Sequence, residues 1–377
     1  MILFLFTFFL LYGLFHLYAF LKTKAALALG TYASICLALV MIVMIFAPLI
    51  VRMSEKVGFD FFGRLMSYIG YTWMGVLFLF VSVSLVVDFY RLTTHLAEII
   101  LKRDLSNLAI SSQYAFFIPI LFSCLIAVYG YFEARSIRTE RLIIKSNKIP
   151  QASGIRIVQI SDVHLGLIVR EDRLKRILRE VQKAEPDIMV STGDLVDGQI
   201  DNLGGLAELL REIRPRYGKF AITGNHEFYA GISQALDFTK KSGFNILRGE
   251  GLNVAGINIV GVDDPQGKTY DNFKDIPERE LLSGFSRQDF TLFLKHRPLV
   301  DKGAIGLFDL QLSGHVHKGQ IFPFSLITGL YYPIQAGFAN LSNNSNLYVS
   351  RGSGTWGPPI RFLAPPEVTV IELVHLE

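Results

Sequence analysis

The chain has 377 residues, of which 51% are hydrophobic and 19% are charged. This balance excludes a soluble enzyme along the whole chain, because so apolar a sequence requires lipid around part of it. The net charge of +4 is small, and no Lys/Arg run with interleaved aromatic residues favours nucleic acid, so we expect no DNA or RNA partner. Both cysteines, Cys36 and Cys124, lie in apolar runs, so the rest of the chain does not depend on disulfides.

The first third of the sequence contains long apolar runs. Four of them reach the length that a bilayer core requires, about 20 residues per helix: Met1–Leu21, Ala25–Val51, Ile69–Val87 and Tyr114–Tyr131. The first run has no basic residues before it and is too long for the apolar core of a signal peptide, so we do not expect cleavage. The pattern predicts a four-helix transmembrane domain over residues 1–133, with the lipid bilayer as its partner.

Basic residues on the predicted loops indicate the orientation of these helices. One side carries Arg52, Lys56, Arg64, Arg135, Arg138, Arg141, Lys145 and Lys148, and the other carries Lys22, Lys24, Arg91, Lys102 and Arg103. Because the side richer in Lys and Arg usually faces the cytoplasm, we expect the C-terminal half of the chain to lie there.

Two further segments of the first half have alternative interpretations. The basic stretch 134–153 is typical of a linker, which either lies along anionic headgroups or is simply solvated. Residues 91–103 carry apolar side chains at helical spacing. That pattern fits an interfacial amphipathic helix and equally a helix packed on the spans.

Strands and helices alternate in the next part of the chain. The apolar patterns predict strands at 156–160, 187–192 and 219–223, and helices at 170–184, 203–213 and 232–241. Such alternation is typical of parallel strands with crossover helices. Further on, the patterns predict mainly strands, at 253–262, 290–295, 307–313, 332–338, 346–349 and 367–376. We therefore predict an α/β domain over residues 154–377, with two sheets packed face to face and helices outside.

Short polar motifs follow several of the predicted strands. They are Asp162-Val163-His164, Gly193-Asp194, Gly224-Asn225-His226-Glu227, His296, and Gly314-His315-Val316-His317. Open α/β sheets bind their ligands at the carboxyl ends of the strands. The positions of these motifs therefore predict that they share one site.

The side chains of these motifs are suited to a metal centre. They offer imidazole, carboxylate and one amide without a thiolate, which favours Zn, Fe or Mn. The set is large enough for two divalent ions with one histidine left over, and the carboxylate of Asp194 is able to bridge them. Such a pair of ions produces hydroxide at neutral pH and binds phosphoryl oxygens. Alone, a Gly-Asp pair usually marks a turn and His-x-His is often a coincidence, but the joint pattern favours a metal site.

From residue 156 to 377 the chain resembles the calcineurin-like metallophosphoesterase superfamily in all of these motifs. The resemblance implies a four-layer α/β/β/α sandwich with a binuclear metal centre. It implies that Asp162, His164 and His317 hold the first ion, that Asn225, His296 and His315 hold the second, and that Asp194 bridges them. His226 would then be the catalytic histidine, near the leaving-group oxygen.

Finer features resemble the membrane-associated YkuE/YaeI-like branch. They include Gly319-Gln320-Ile321-Phe322-Pro323 and the stretch from Arg351-Gly352 through Pro358-Pro359 to Pro365-Pro366. A relative in this branch hydrolyses UDP-2,3-diacylglucosamine. The resemblance implies a multi-pass enzyme of a bacterial-type inner membrane that cleaves phosphodiester or pyrophosphate bonds of a lipid- or nucleotide-linked substrate. Val316 and Lys318 stand where that branch often has Thr and Gly, and Lys318 adds a cation beside the ligands.

Three open points concern substrate and role. Arg297 and Arg351 are candidates for contacting phosphate, since guanidinium binds it in a fork, or they are structural arginines. The apolar segment Ile321–Tyr332 either contacts acyl chains or forms a core strand and turn. The alternative to an enzyme is a non-catalytic membrane scaffold or sensor that retains the fold. The complete ligand set together with His226 favours the hydrolase.

Overall fold

The computed structural model describes residues 2–150, 154–198, 203–270 and 273–376, with side chains from residue 5 onward. The chain forms two compact units. The helical unit is Met1–Phe132 with Gly357–Ile360, and the sheet unit is Glu133–Trp356 with Arg361–Glu377. Residues 151–153, at the end of the predicted linker, lie outside the described residues.

The helical unit contains α1 (Ile2–Leu27), α2 (Thr31–Val57), α3 (Asp60–Leu101) and α4 (Tyr114–Glu133). In the described part of the chain these four helices are long and apolar enough to cross a membrane. Tyr12, Met41, Phe80 and Phe116, one from each helix, are buried together. A Cβ at Gly70 would lie 2.6 Å from that of Ala47, so small residues set the close approach of α2 and α3.

Helix α3 differs from the prediction for residues 69–87 and 91–103. It has 42 residues, which at 1.5 Å per residue gives about 63 Å, twice the thickness of a bilayer core. The expected separate amphipathic helix is therefore the last part of α3. No Gly or Pro lies between Gly75 and Leu101, so nothing in the backbone ends the helix where its composition changes.

The sheet unit alternates strands and helices at first and then consists mainly of strands. In chain order its elements are β1 (Arg138–Ser146), β2 (Ile155–Ile160), α5 (Glu171–Lys183), β3 (Ile188–Ser191), α6 (Leu206–Glu212), β4 (Lys219–Ala221), α7 (Asn225–Ala230), α8 (Ile232–Lys241), β5 (Asn245–Ile246), β6 (Glu250–Val254), β7 (Ile257–Gly261), α9 (Glu278–Ser283), β8 (Phe290–Leu294), β9 (Leu310–Ser313), α10 (Phe324–Tyr331), β10 (Gly337–Asn340), β11 (Asn346–Val349) and β12 (Glu367–His375).

These strands form two six-stranded sheets. One has the order β1-β12-β2-β3-β4-β5, and the other has the order β10-β11-β9-β8-β7-β6. Alternation along β2 explains the layers. Ile157 faces a core shared with Leu292 and Leu312 of the second sheet, whereas Val158 and Ile160 face Leu174 and Ile177 of α5. The unit is the predicted α/β/β/α sandwich, since α9 covers the outer face of the second sheet through Leu282.

The expected linker contains an edge strand, which corrects the prediction for residues 134–153. Strand β1 pairs in parallel with β12 from Arg138↔Glu367 to Ser146↔His375, and Ile144 joins the core between the sheets. Its exposed basic residues protect a sheet edge. The same residues give the segment the composition of a linker.

Two strand predictions in the second sheet were wrong, and one of the two interpretations of residues 321–332 is excluded. The strand expected at 253–262 is instead the end of β6 and the whole of β7. The two strands form a hairpin that turns at Ala255 and Gly256, with positive φ of 51° and 82°. The strand expected at 332–338 begins only at Gly337. The segment 321–332 contains helix α10 rather than a core strand, because the apolar run has no clear period of two.

Candidate metal centre

The polar motifs lie at the carboxyl ends of neighbouring strands. In the first sheet, β2, β3 and β4 are parallel neighbours, so Asp162, Asp194 and Asn225 follow them at the same edge. In the second sheet, β8 and β9 are parallel neighbours, and they are followed by His296 and by the segment of His315 and His317. The topology thus explains why residues far apart in sequence meet.

The side chains form three overlapping groups of possible metal ligands. They are Asp162, His164 and His317; His164, Asp194 and His226; and Asp194, His296 and His315, with the ligand atoms of each group within 4.8 Å of one another. Asp194 Oδ2 lies 3.2 Å from His296 Nε2 and 3.8 Å from His164 Nε2. The carboxylate of Asp194 therefore stands between the two sets of imidazoles, where a ligand shared by two ions would lie.

Asn225 completes the set in a way that fits a metal ion. Its Oδ1 is buried and has no hydrogen-bond partner among the described residues. A buried carbonyl oxygen left without a partner costs about 1–3 kcal/mol. A cation at this position would satisfy it, so the amide oxygen is a fitting ligand.

The backbone at the motifs is strained. Five of the predicted ligands have left-handed φ angles: Asp162 (51°), His164 (53°), Asp194 (52°), His315 (72°) and His317 (47°). Such conformations are rare for residues other than glycine and cluster at functional sites. Backbone hydrogen bonds between the loops hold them, from Asp162 N to Gly193 O and from His164 N to Asp194 O, both 3.0 Å.

The loops at the site approach each other so closely that position 314 has no room for a side chain. A Cβ at Gly314 would overlap Ser161 Oγ and the carboxylate of Asp162. The glycine before His315 is therefore required by close approach of the two loops. His315 N then donates to Asp162 Oδ1 at 2.9 Å, which connects a loop of one sheet to a loop of the other.

Glu227 connects two ligand loops, a role that the sequence analysis missed. Its carboxylate accepts hydrogen bonds from Gly224 N (2.6 Å), Leu195 N (2.7 Å) and Asp194 N (3.0 Å). Burial, with the charge of Asp194, raises the pKa of Glu227. The sequence did carry a signal, because Glu three residues after a helix cap is a capping-box position.

Asp197 is the acidic partner of His226. Its Oδ1 lies 2.9 Å from His226 Nδ1 and 3.5 Å from His164 Nδ1. His226 Nδ1 is also 2.9 Å from the Asp197 carbonyl oxygen, so this nitrogen donates and Nε2 is left for chemistry. Asp197 lies three residues after Asp194, but spacing alone did not assign it to His226.

The charges of the site set its pKa values. Burial opposes the charged form of His226, but Asp194 and the hydrogen bonds of Asp197 outweigh it and raise the pKa of His226 to about 9. The pKa of Asp197 is lowered, since its bonds to His164 and His226 outweigh burial. Burial, together with neighbouring positive charges, holds the pKa of His315 and of His317 well below the usual range. Both imidazoles are therefore neutral at pH 7, as metal ligands must be.

Contacts at Nδ1 orient the imidazole rings of His296 and His317. His296 Nδ1 donates to Thr192 O at 2.8 Å, which leaves Nε2 toward Asp194, the arrangement typical of metal-binding histidines. Arg361 is fully buried and its Nη2 lies 2.9 Å from His317 Nδ1. Arg361 also donates to the carbonyl oxygens of Gly354 and Ala364. No motif in the sequence pointed to Arg361.

The two arginines proposed from sequence lie in different surroundings. Arg297 makes a bidentate pair with Asp264 at 2.8 and 2.9 Å and directly follows His296. Arg351 donates to Glu140 and lies 2.7 Å from Glu367 Oε2. These two carboxylates account for the charge of Arg351, which favours its structural role.

Comparison with known proteins reveals related sequences. The calcineurin-like phosphoesterase family matches residues 155–319. An uncharacterized metallophosphoesterase of Aquifex aeolicus (strain VF5) is 40% identical over 253 residues, which are 66% of this chain and 96% of that protein. The uncharacterized metallophosphoesterase YkuE of Bacillus subtilis (strain 168) is 34% identical over 65% of this chain and 89% of its own.

The name of a third relative describes it as a transmembrane protein. The transmembrane protein with metallophosphoesterase domain of Danio rerio is 30% identical over 68% of this chain, and the alignment spans 62% of that protein. These relatives confirm the resemblance seen in the motifs. The ligand cluster, the sandwich and the matched sequence agree, and the chain belongs to the calcineurin-like phosphoesterase family.

Proposed function

We propose that the protein is a membrane-anchored phosphoesterase that uses two divalent metal ions, Mn, Zn or Fe. Its substrates would be phosphodiesters or pyrophosphates in a lipid- or nucleotide-linked molecule such as UDP-2,3-diacylglucosamine. The observation that carries the proposal is the position of Asp194 between two sets of buried imidazoles, with its Oδ2 3.2 Å from His296 Nε2. Sharing one carboxylate between two ions is typical of two-metal hydrolases.

The proposed ligands fall into two sets around Asp194. Asp162, His164 and His317 would hold one ion, and Asn225, His296 and His315 would hold the other. When bound, two such ions supply a nucleophile from water at neutral pH and neutralise the phosphoryl oxygens. The chain contributes preformed loops, because backbone hydrogen bonds already fix Asp162 and His164.

His226 would protonate the leaving oxygen. Its Nδ1 is held by Asp197 at 2.9 Å, so Nε2 carries the proton that is transferred. The carboxylates of Asp194 and Asp197 raise the pKa of His226, which favours the protonated form that an acid requires. His226 also falls in a group with His164 and Asp194, and its bond to Asp197 is what favours the role of acid over that of ligand.

The four long apolar helices support a reaction at a bilayer. We assign the membrane domain to residues 1–133 and the catalytic domain, which includes strand β1, to residues 138–377. We place the catalytic domain on the cytoplasmic face of a bacterial-type inner membrane, because Lys and Arg are more frequent on that side of the helices. A substrate with acyl chains would then be within reach of the site without leaving the membrane. A soluble nucleotide-linked substrate would gain nothing from this arrangement.

Metal analysis combined with two substrates tests the proposal. The full chain, purified in detergent, should contain two transition-metal ions and should hydrolyse bis(p-nitrophenyl) phosphate and UDP-2,3-diacylglucosamine. His226→Ala should keep the metal and lose turnover of the second substrate by about 10²–10⁴-fold. The matched control is His95→Ala, at an exposed position of α3, which should change neither.

Two results would contradict the proposal. A protein that binds no metal, or that binds metal and hydrolyses neither ester, is a scaffold or sensor with the same fold. Full turnover by His226→Ala on an ester with a poor leaving group would remove the role of His226 but not the metal centre.

A further inference from the structure

Helix α10 is unusual for a helix of the sheet unit because it has no buried residue. Its large apolar side chains are exposed instead. The exposed fractions are 41% for Phe324, 65% for Leu326, 58% for Ile327, 88% for Leu330 and 64% for Tyr331. A helix that turns its apolar residues outward leaves apolar surface in contact with its surroundings.

The sequence around α10 has no charge. From Gly319 to Ser350 there is no Asp, Glu, Lys, Arg or His. Solvated surfaces of this length normally carry charged residues. The segment therefore has the composition of a surface that is buried against something apolar.

The apolar surface continues into a second segment. Gln320 Nε2 donates to Trp356 O at 2.8 Å, and Trp356 N donates to Gln320 Oε1 at 2.9 Å. Phe322 N donates to Phe362 O at 3.1 Å. These bonds place Trp356 and Leu363, which are 50% and 54% exposed, beside the segment of α10. We define the apolar patch as Phe322, Phe324, Leu326, Ile327, Leu330, Tyr331, Trp356 and Leu363.

The patch borders the metal centre. The ring of Tyr332, which follows α10, lies 5.4 Å from the ring of His315. The ring of Trp356 lies 5.9 Å from the ring of His226. A molecule whose phosphoester sits at the ligands would therefore extend its apolar part along this surface.

We infer that the apolar patch docks on the lipid bilayer and inserts the side chains of α10 among the acyl chains. Trp and Tyr beside aliphatic residues are typical of the membrane interface. The chain itself brings the bilayer close, because α4 ends at Glu133 and β1 begins at Arg138.

A protein partner fits the patch less well. Protein interfaces combine apolar residues with Arg and with a polar, charged rim, and the segment 319–350 supplies neither charge nor Arg. The docking itself does not require catalysis. Its consequence, that the metal centre takes substrates with acyl chains from the membrane, rests on the proposed function.

Depth-dependent quenching in vesicles tests the docking directly. Cys36 and Cys124 are replaced by Ala in the full chain, and Leu330→Cys is labelled with bimane. The protein is reconstituted into phosphatidylcholine vesicles with or without bromine on the acyl chains. We expect strong quenching by the brominated lipid. The control is Lys175→Cys on α5, a side chain 53% exposed, which should be quenched by iodide in water only.

Each other outcome overturns the inference. Quenching of the Leu330 label by iodide but not by lipid would show a solvated helix. Protection from both quenchers would show that a protein surface, from the helical unit or from a second copy, covers the patch. Neither readout depends on activity, so the inference and the proposed function fail separately.

Turnover then connects the patch to the substrate. The double variant Leu326→Asp, Leu330→Asp should hydrolyse UDP-2,3-diacylglucosamine in vesicles about tenfold more slowly or worse, because two apolar side chains lose their lipid contact. It should hydrolyse soluble bis(p-nitrophenyl) phosphate at the rate of the unaltered protein. Leu376→Asp, at an exposed leucine outside the patch, is the control. An unchanged rate on the lipid substrate would contradict the connection.

Discussion

Asp197 Oδ1 and His226 Nδ1 lie 2.9 Å apart. This contact influences the orientation and the protonation of His226, which faces the proposed metal ligands. The carboxylate holds the ring orientation and stabilises its protonated form. The same carboxylate is 3.5 Å from His164 Nδ1. One acidic side chain thus holds the proposed acid and lies close to a proposed metal ligand.

Replacing this carboxylate should shift the pH dependence of turnover. Asp197→Asn removes a charge that raises the pKa of His226, so that pKa should fall. Because the protonated ring is the acid, activity should be lost at a lower pH than in the unaltered protein. We expect kcat to fall by about 10–100-fold at neutral pH. The measurement is kcat against pH on an ester with a poor leaving group.

The proposed effect of Asp197 on His226 is contradicted if the alkaline limb of the profile of kcat against pH does not move. Metal content serves as the internal check and should not change. Asp172→Asn, which alters an exposed carboxylate on α5, should leave the profile unaltered.

Asn225→Ala should weaken one metal site. The variant removes the buried Oδ1 that has no partner among the described residues, so one of the two ions loses a ligand. We expect the affinity for that ion to fall by about 100-fold or more. Metal content after dialysis against a weak chelator measures this, with Asn253→Ala, an exposed asparagine of β6, as control. Retention of both ions at unchanged affinity would exclude Asn225 as a ligand.

Glu227→Gln should loosen two loops at once. The carboxylate accepts three backbone N–H groups, of Gly224, Leu195 and Asp194, whereas an amide directs its own N–H toward some of them. The expected loss is about 1–3 kcal/mol of stability, seen as a lower Tm and weaker metal binding. Glu208→Gln on the exposed side of α6 is the matched control. An unchanged Tm would mean that the carboxylate of Glu227 does not contribute to stability.

Lys219 should make stability depend on alkaline pH. Its Nζ donates to Leu210 O at 2.7 Å and to Ser242 O at 2.6 Å. Burial, with the charges of Arg211 and Arg214, lowers its pKa to about 8. The unfolded chain keeps the ordinary pKa of about 10.4.

The direction follows from proton linkage. Between pH 8 and about 10.4 the unfolded state binds more protons than the folded state, so stability rises with pH through this window. The Tm of the unaltered protein should therefore increase relative to that of Lys219→Met as the pH rises from 8 to 10. A constant difference between the two proteins across the window would contradict the assignment.

Much of the fold followed from apolar periodicity. Helix α8 has the predicted bounds, β3 and β4 lie within the predicted strands, and β2 begins one residue before its prediction. Alternating and helical patterns are clear in these elements because one face is buried. Strand β1 was missed because a sheet edge places Arg and Lys on one face. The length of α3 was missed because a helix ends at a backbone signal rather than at a change of composition.

The residues of the site also divide into those that the sequence predicted and those that it missed. The sequence placed every proposed ligand at a strand end, and the parallel order of β2, β3 and β4 brings those ends together. Asp197, Glu227 and Arg361 were missed, since their roles depend on where loops cross in space. The metal ligands themselves stay a prediction until ions are measured.

The left-handed backbone of the ligand loops has a consequence for how the centre is assembled. Hydrogen bonds to neighbouring loops hold Asp162, Asp194 and His315 in conformations that a free peptide would avoid. The chain's own hydrogen bonds hold these loops, unlike in small zinc domains, where the ion itself drives folding. A chelator should therefore remove the proposed metal ions without unfolding the sheet unit. The ions should then bind again without a refolding step.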